Sequence, residues 1–301
     1  MFHPKKRAAL AVAILLALLL CACTDSAEKP GSSSQRQKSG QVLISRATEK
    51  KTIGNAAAVI DISNADQGYI CVKYLGSNKK VKLQLTNGQD TYTYNLLKRG
   101  SFEVFPLSEG SGTYTAGVFE NISGSQYSQA CSETFKARLK DENLPFLYPN
   151  EYVSYTAKDP VVKLSGQVTE KSADDLDKVK DIFNYVIKNI HYDYRQAANV
   201  QTDYLPDITE VLKNKKGICF DYASLMSAML RIQNIPTKLV AGYAGNVYHA
   251  WISVYIKDKG WVDGIIKFDG KDWTMMDPTA ASSGEMEDIT KDSRYNALFY
   301  Y

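Results

Sequence analysis

Cys219 follows one segment with helical signals and precedes another, and this position most constrains how the second half of the chain can fold. The capping-box pair Asp207 and Glu210 predicts a short helix that ends near Gly217. After Cys219, apolar residues recur at helical spacing, namely Ala223, Met226 and Leu230. A second helix should therefore begin at or just before Cys219. The dipole and the free N–H groups of a helix N-terminus favour the thiolate.

Two further residues follow in an order that suits catalysis. His249 should open a strand that runs to Ile256, after a loop made flexible by glycines, and Asp277 should end a strand that begins near Trp273. A thiol, an imidazole and a carboxylate supply a nucleophile, a base and a group that orients the base. A buried structural cysteine, a core histidine and an Asx turn would explain the three residues singly. Together they favour a catalytic set.

A geometric condition follows from this assignment. For His249 and Asp277 to meet, the start of one strand must lie beside the end of the other. The strands 249–256 and 272–277 should therefore be antiparallel neighbours. Residues 257–270 are then expected to form an excursion at the far end of this pair.

The motifs around these residues resemble those of the transglutaminase-like superfamily over about residues 172–283. They are Gly217-x-Cys219-x-Asp221-Tyr222-Ala223, Gly242-Tyr243, His249-Ala250-Trp251 and Asp277-Pro278-Thr279. The resemblance implies a papain-like core in which a Cys-bearing helix packs on an antiparallel sheet. It also implies that Cys219 is the nucleophile, His249 the base and acid, and Asp277 the orienting residue. The superfamily includes protein cross-linkers, cysteine peptidases, deglycosylating amidases and inactive members.

The chemistry expected of such a site is acyl transfer. A thiolate attacks an amide carbonyl and forms a thioester, while the backbone N–H of Cys219 stabilises the oxyanion. An aromatic residue often supplies a second donor in such folds, and the candidates are Tyr192, Tyr194 and Tyr222. A cysteine peptidase or amidase with a peptide or protein substrate is expected. A cross-linking transglutaminase and a non-catalytic binding module are the alternatives, because no residue decides between them.

The N-terminus resembles a bacterial lipoprotein leader. Basic residues precede an apolar run of thirteen residues from Ala8 to Leu20, which is short for a membrane span. Leu20-Cys21-Ala22-Cys23 resembles a lipobox, so residues 1–22 should be a signal peptide and Cys23 the lipidated first residue. An ordinary secretory signal or an uncleaved anchor are the alternatives. We expect lipid anchoring on the extracytoplasmic side of a bacterial membrane, with residues 23–54 as a flexible tether.

The rest of the chain predicts an α+β protein with two domains, residues 55–139 and 140–301. Seven short strand-like segments suggest an immunoglobulin-like β-sandwich in the first domain, with a hairpin turn at Asn87-Gly88. These segments are 57–63, 68–75, 80–86, 90–96, 101–107, 112–120 and 127–137. The sandwich is expected to act as a spacer, and docking of substrate or support of the catalytic domain are the alternative roles.

Charge and cysteine usage give weaker constraints. The net charge is +3 with mixed signs, so binding to nucleic acid is not implied. No metal-ligand spacing or phosphate loop is present in the sequence, and we expect no metal or cofactor. Cys71 and Cys131 could pair outside the cell, but Cys71 shares a strand face with Lys73, which slightly favours free thiols.

Overall fold

The N-terminal half of the computed structural model is built of two antiparallel sheets. The structure describes residues 42–257, 259–263, 266–268, 273–275 and 295–301. The predicted leader, Cys23 and Asp277 lie outside the described residues. In the described part, no helix is long and apolar enough to cross a membrane.

Residues 52–137 form eight strands. They are β1 (Thr52–Gly54), β2 (Ala58–Asp61), β3 (Tyr69–Tyr74), β4 (Val81–Asn87), β5 (Asp90–Leu96), β6 (Phe102–Pro106), β7 (Gly112–Ser123) and β8 (Gln126–Ala137). One sheet has the order β1-β2-β3-β6 and the other the order β5-β4-β7-β8. All seven predicted strands are present. They could be predicted because alternating burial, as in β4, corresponds to a local alternation of residue types in the sequence. A β-sandwich is therefore supported, while its immunoglobulin-like character stays a prediction.

The hairpin between β4 and β5 lies where the sequence predicts it. Asn87 pairs with Asp90, and Gly88 has a φ of 63° in the loop between them. A residue with a Cβ is strained in this left-handed region, so glycine suits the first position of the turn.

The predicted tether is shorter than expected at its C-terminal end. Residues 42–54 lie against the sheets, where Leu43 is buried and β1 pairs with β2. The backbone N–H groups of Thr48 and Glu49 donate to Asp61 at 2.7 Å and 2.8 Å. A polar composition suggested a flexible segment, but a buried carboxylate on β2 supplies the acceptor that orders it.

The second half contains five helices and a further set of strands among its described residues. They are α1 (Pro160–Val168), α2 (Asp175–Asn189), β9 (His191–Tyr192), α3 (Tyr194–Ala197), α4 (Ile208–Asn214), β10 (Lys216–Gly217), α5 (Cys219–Ile232), β11 (Thr237–Ala244), β12 (Val247–Ile256), β13 (Gly260–Asp263), β14 (Ile266–Phe268), β15 (Trp273–Met275) and β16 (Tyr295–Tyr300). The main sheet has the order β13-β12-β11-β16, and α5 packs on β11 and β12. A Cys-bearing helix on an antiparallel sheet agrees with the predicted α+β class.

The helix starts follow local capping. Asp174, Asp193 and Asp207 each accept a hydrogen bond from a backbone N–H in the first turn of α2, α3 and α4. Such caps satisfy donors that have no partner within the helix. The helix predicted from the Asp207 and Glu210 spacing is confirmed as α4.

The predicted pairing of strands 249–256 and 272–277 is not what the described residues show. β13 pairs with residues 253–256 of β12, and β15 pairs with β14 in a separate two-stranded sheet. Residues 260–263 are therefore a direct neighbour of β12 and not part of an excursion away from it. The sequence contains the strands, but a choice among antiparallel partners depends on long-range packing.

One continuous core extends through both halves of residues 34–301, which form a single compact unit. Tyr94 of β5 contacts the rings of Tyr152 and Tyr301 at centroid distances of 5.7 Å and 5.8 Å. The guanidinium of Arg231 in α5 is fully buried and donates to three backbone carbonyls, those of Tyr148, Thr237 and Tyr301. The sheet that contains β5 thus packs on aromatic rings of the second half, and the Arg231 guanidinium joins α5 to the backbone around it.

Cys71 and Cys131 are free and buried. Burial raises the pKa of the Cys71 thiol to about 12, and the nearby Asp61 carboxylate adds to this. Burial also raises the pKa of Cys131. Both thiols have the surroundings of inert core cysteines.

Candidate active site

Cys219 is the first residue of α5, as the sequence predicts. The residue before it, Ile218, occupies the N-cap position and has an apolar side chain that cannot accept a hydrogen bond. In the described chain, no side chain caps the first turn of α5 in the manner of the caps of α2, α3 and α4. The N–H groups around Cys219 are therefore not occupied by a side-chain cap. Uncapped N–H groups at a helix start suit a thiolate or an oxyanion.

A buried carboxylate holds the entry to this helix. Asp221 is fully buried and accepts hydrogen bonds from the backbone N–H of Ile218 at 2.8 Å, the hydroxyl of Tyr204 at 2.6 Å and the amide of Gln196 at 3.4 Å. Burial raises the pKa of Asp221, and these three donors oppose that shift. The Asp221 side chain thus supplies the carboxylate half of a capping box, while Ile218 cannot supply the other half.

The segment before Cys219 is fixed by a short parallel pairing. Lys216 and Gly217 of β10 pair with His191 and Tyr192 of β9. A Cβ on Gly217 would lie 2.6 Å from the Cβ of Asp221, closer than two such atoms approach. Glycine is needed here because the Asp221 side chain fills the space beside it. The glycine of the Gly217-x-Cys219-x-Asp221 motif therefore has a packing reason.

A salt bridge closes the same region on its solvent side. The Lys216 ammonium lies 2.9 Å from Asp193, which also caps α3. The backbone N–H of Gln196 and the Lys216 ammonium lower the pKa of Asp193.

His249 lies inside β12 rather than at its start. It pairs with Gly242 of β11, and the strand begins two residues earlier because the hairpin turn at Gly245 is tight. The rings of His249 and Trp251 are stacked, with centroids 6.4 Å apart. The next residue, Ala250, belongs to the core that α5 covers, so His249 and Trp251 share the other face of the strand.

Tyr248 is related to both predicted catalytic residues, to Cys219 electrostatically and to His249 as its neighbour in the chain. Burial raises the pKa of its hydroxyl, and the nearby Tyr243 and Cys219 raise it further. Tyr248 directly precedes His249 in the chain. α5 ends at Ile232 and leads through four residues into β11, whose first residue pairs with Val254, so the end of β12 that carries His249 lies away from the C-terminus of α5. No periodic pattern in the sequence singled out Tyr248.

The three oxyanion candidates differ in their surroundings. Tyr222 is fully buried, and its hydroxyl donates to the backbone carbonyl of Ile190 at 2.6 Å. Its proton is therefore directed at Ile190, and a role for Tyr222 as an oxyanion donor stays a prediction. The ring centroids of Tyr192 and Tyr194 are 4.9 Å apart, and Tyr194 is 60% exposed. Tyr192 and Tyr194 remain candidates.

An open depression of about 710 Å³ lies beside this network. It is lined by polar and charged side chains together with one valine, namely Asp193, Arg195, Gln196, Asn199, Val200, Gln201, Asp203, Tyr204 and Lys216. Among the described residues, neither Cys219 nor His249 lines it, but Gln196 and Tyr204 also bond Asp221. Sequence reasoning missed Asp221, Gln196 and Tyr204. Only Asp221 had a local signal, namely its spacing of three residues from the N-cap.

The Cys-bearing helix on an antiparallel sheet, with a His-bearing strand at the helix start, agrees with a match to a known family. Residues 162–263 match the model of the transglutaminase-like superfamily. The chain carries a transglutaminase-like domain. The matched range contains Cys219, His249 and the Asp221 network, and it ends before Asp277. It begins ten residues earlier than the range expected from the motifs, and so includes most of α1.

Curated relatives are distant from this chain. It is 25% identical over 213 residues to a UPF0252 protein of Methanocaldococcus jannaschii, covering 66% of this chain and 59% of that protein. It is 26% identical over 129 residues to the kyphoscoliosis peptidase of Homo sapiens, covering 37% of this chain and 19% of that protein. The chain thus spans less than two thirds of the length of either relative.

The solved structures that this chain matches are also distant from it. The periplasmic domain of TgpA from Pseudomonas aeruginosa has 12% identity and a TM-score of 0.35, and the match covers 79% of this chain and 98% of that chain. Red sea bream transglutaminase has 15% identity and a TM-score of 0.28, with 70% of this chain and 48% of that chain covered.

Proposed function

We propose that the transglutaminase-like domain is a thiol enzyme that acts on amide bonds of peptides or proteins through a thioester on Cys219. The observation that carries this proposal is the position of Cys219 at the start of α5, where no side chain caps the helix among the described residues. The position of His249 at the end of β12 that lies away from the C-terminus of α5 supports it. The family match supports the same class of chemistry.

The reaction proceeds in two steps. The Cys219 thiolate attacks the amide carbonyl, and the N–H of Cys219 stabilises the oxyanion of the tetrahedral intermediate. Imidazolium at His249 gives its proton to the amine as the C–N bond breaks, which leaves the acyl group on sulfur. A water molecule, from which His249 takes a proton, then attacks the thioester and releases the acid and the thiolate.

The position of His249 in β12 limits how its imidazole can reach Cys219. His249 directly follows Tyr248, so their Cα atoms are about 3.8 Å apart. Because Ala250 faces the core under α5, His249 lies on the other face of β12, and the proposal requires its imidazole to reach Cys219 around the end of the sheet. Asp277 is the residue proposed to accept from the ring and fix its tautomer. Tyr192 and Tyr194 are the proposed sources of a second oxyanion donor.

The activity is tested with dimethylated casein, in the presence and absence of a fluorescent primary amine. Release of new peptides or of ammonia without incorporation of the amine supports hydrolysis. Covalent incorporation of the amine would instead identify a cross-linking transglutaminase. If Cys219→Ser changes neither reaction, and Cys219 reacts with iodoacetamide no faster than a model thiol, the domain is a binding module and the proposal fails.

We also propose that the protein is anchored by a lipid on Cys23 and faces the extracytoplasmic side of a bacterial membrane. The basic, apolar and small-residue order before Cys23 supports this. Mature protein should partition into detergent, because acyl chains supply the membrane affinity. A Cys23→Ser protein that is fully processed and equally membrane-bound would contradict the lipid anchor.

A further inference from the structure

Asp221 joins the peptide before Cys219 to a segment that is distant in the sequence. We propose that Asp221, held by Tyr204, is a positioning residue that sets the orientation of the N–H groups at the start of α5 for acyl transfer. This inference rests on the proposed function, because it concerns how Cys219 is presented. It assigns a role to the third residue of the Cys219-x-Asp221 motif and to a tyrosine that has no motif.

The contacts of Asp221 give the first reason. One carboxylate oxygen accepts from the Ile218 N–H at 2.8 Å and from the Gln196 amide at 3.4 Å, and the other accepts from the Tyr204 hydroxyl at 2.6 Å. The Ile218 peptide immediately precedes the peptide whose N–H belongs to Cys219. Fixing the direction of the first N–H therefore fixes the rotation of the chain where the helix begins.

The N-cap residue gives the second reason. Ile218 has an extended backbone, with φ −98° and ψ 178°, and its side chain cannot bond to the helix. In most capped helices a polar N-cap side chain holds the first turn and occupies one of its N–H groups. Here Asp221 holds the same turn from within the helix and takes only the Ile218 N–H. The turn is fixed while the N–H groups nearer to Cys219 are left for substrate.

Burial makes this arrangement depend on all of its partners. A buried carboxylate is costly unless hydrogen bonds compensate it. Asp221 is fully buried, and burial raises its pKa against the effect of Tyr204, Ile218 and Gln196. Gly217 adds to the constraint, since a Cβ there would strike the Asp221 side chain. Loss of the Tyr204 hydroxyl should therefore shift the carboxylate and, with it, the Ile218 peptide.

The test compares two reactions of Cys219, one that requires oriented N–H groups and one that does not. Acylation by p-nitrophenyl acetate passes through an oxyanion, which needs correctly directed N–H groups. Alkylation by iodoacetamide at pH 6 has no such intermediate and depends on the thiolate. We expect Tyr204→Phe to slow acylation roughly tenfold, in the range that small misplacements of reacting groups produce. Alkylation should stay within about twofold, since the Asp221 charge is kept.

Further variants keep the test decisive. Asp221→Ala should slow acylation more than Tyr204→Phe, and Asp221→Asn, which keeps an acceptor for the Ile218 N–H, should recover part of the loss. Tyr185→Phe is the matched control, because Tyr185 is half-buried and, among the described residues, its hydroxyl only accepts a hydrogen bond from the Lys215 ammonium, at 3.4 Å. The melting temperature of each variant is measured alongside.

Two outcomes overturn the inference. One is that Tyr204→Phe acylates as fast as Tyr185→Phe. The other is that acylation and alkylation fall together, which would indicate general disruption of the helix start. Failure of the proposed function looks different, since Cys219→Ser would then leave acylation of the protein unchanged.

Discussion

The hydroxyl of Tyr92 accepts a hydrogen bond from the backbone N–H of Tyr300 at 3.3 Å, across 208 positions of the chain. The same hydroxyl donates to Glu109 at 2.7 Å, so it is satisfied on both sides. Tyr92 belongs to the sheet β5-β4-β7-β8, and Tyr300 to the strand that pairs with β11. One of the two N-terminal sheets is therefore hydrogen-bonded to the sheet that carries His249.

This relationship predicts that residues 34–301 unfold in one cooperative transition. A shared core and a hydrogen bond between the halves couple their unfolding. Tyr92→Phe should lower the free energy of unfolding by about 1 kcal/mol, the usual net value of one hydrogen bond. Calorimetry and denaturant titration measure both effects, with Tyr127→Phe as a partly exposed control. Two separate transitions in the unaltered protein would contradict the coupling.

Cys219 should react with iodoacetamide at pH 6 at least tenfold faster than the other two described cysteines. Cys71 and Cys131 are buried, and burial raises the pKa of both thiols. Cys219 is only partly buried and lies at a helix start, where negative charge that develops on sulfur is stabilised. Mass spectrometry of tryptic peptides over a time course gives the three rates. His249→Ala should slow the labelling of Cys219 alone, and equal rates for all three thiols would leave Cys219 only a packing role.

Asp277→Asn should reduce turnover by about 10²-fold or more while the melting temperature changes little. The substitution keeps the size of the side chain but removes the charge that supports an imidazolium. His249→Ala should reduce turnover at least as much. Asp90→Asn, in the exposed β4–β5 hairpin, is the control and should be fully active. If Asp277→Asn retains turnover, another residue orients His249.

Glu151 predicts a loss of stability toward alkaline pH. Its carboxyl oxygens are buried without a hydrogen-bond partner among the described residues. Burial, together with the nearby Glu103, raises the pKa of Glu151 to about 9. Between its ordinary pKa and that value the unfolded chain has lost the proton while the folded protein keeps it. The free energy of unfolding should therefore fall by up to about 1.4 kcal/mol per pH unit as the pH rises through this window.

Glu151→Gln should flatten that pH dependence, because a neutral amide is not ionised on unfolding. Denaturant titrations from pH 5 to pH 9 provide the comparison. Glu170→Gln changes an exposed carboxylate and should keep the original slope. An unaltered slope in Glu151→Gln would assign the pH dependence to another group.

Arg231→Lys should destabilise the protein by about 3 kcal/mol, since a single ammonium cannot reach all the carbonyls that the guanidinium bonds. The guanidinium donates to the carbonyls of Tyr148, Thr237 and Tyr301 at 2.6–2.8 Å. Burial lowers the pKa of Arg231 to about 10. The melting temperature measures the loss, with Arg138→Lys as an exposed control. Equal melting temperatures for the two variants would show that these bonds add nothing.

The sequence determined the parts of this protein that depend on near neighbours. Alternation of apolar residues is a local property, and all seven predicted strands of the first half are present. Capping and helical spacing are also local, and they placed Cys219 at the first residue of α5. The motifs around Cys219 and His249 were sufficient for the superfamily that the family model matches.

Only the tertiary structure decided which distant groups meet. In the folded protein the Tyr222 hydroxyl donates to the carbonyl of Ile190, and the Tyr204 hydroxyl donates to Asp221. β13 rather than β15 pairs with β12. The tertiary structure also ordered residues 42–54, whose composition suggested a tether, by bonding their backbone to Asp61. Such contacts join residues far apart in the chain, and several partners of equal local propensity compete for each of them. The choice among these partners depends on the packing of the whole core, which no short sequence pattern contains.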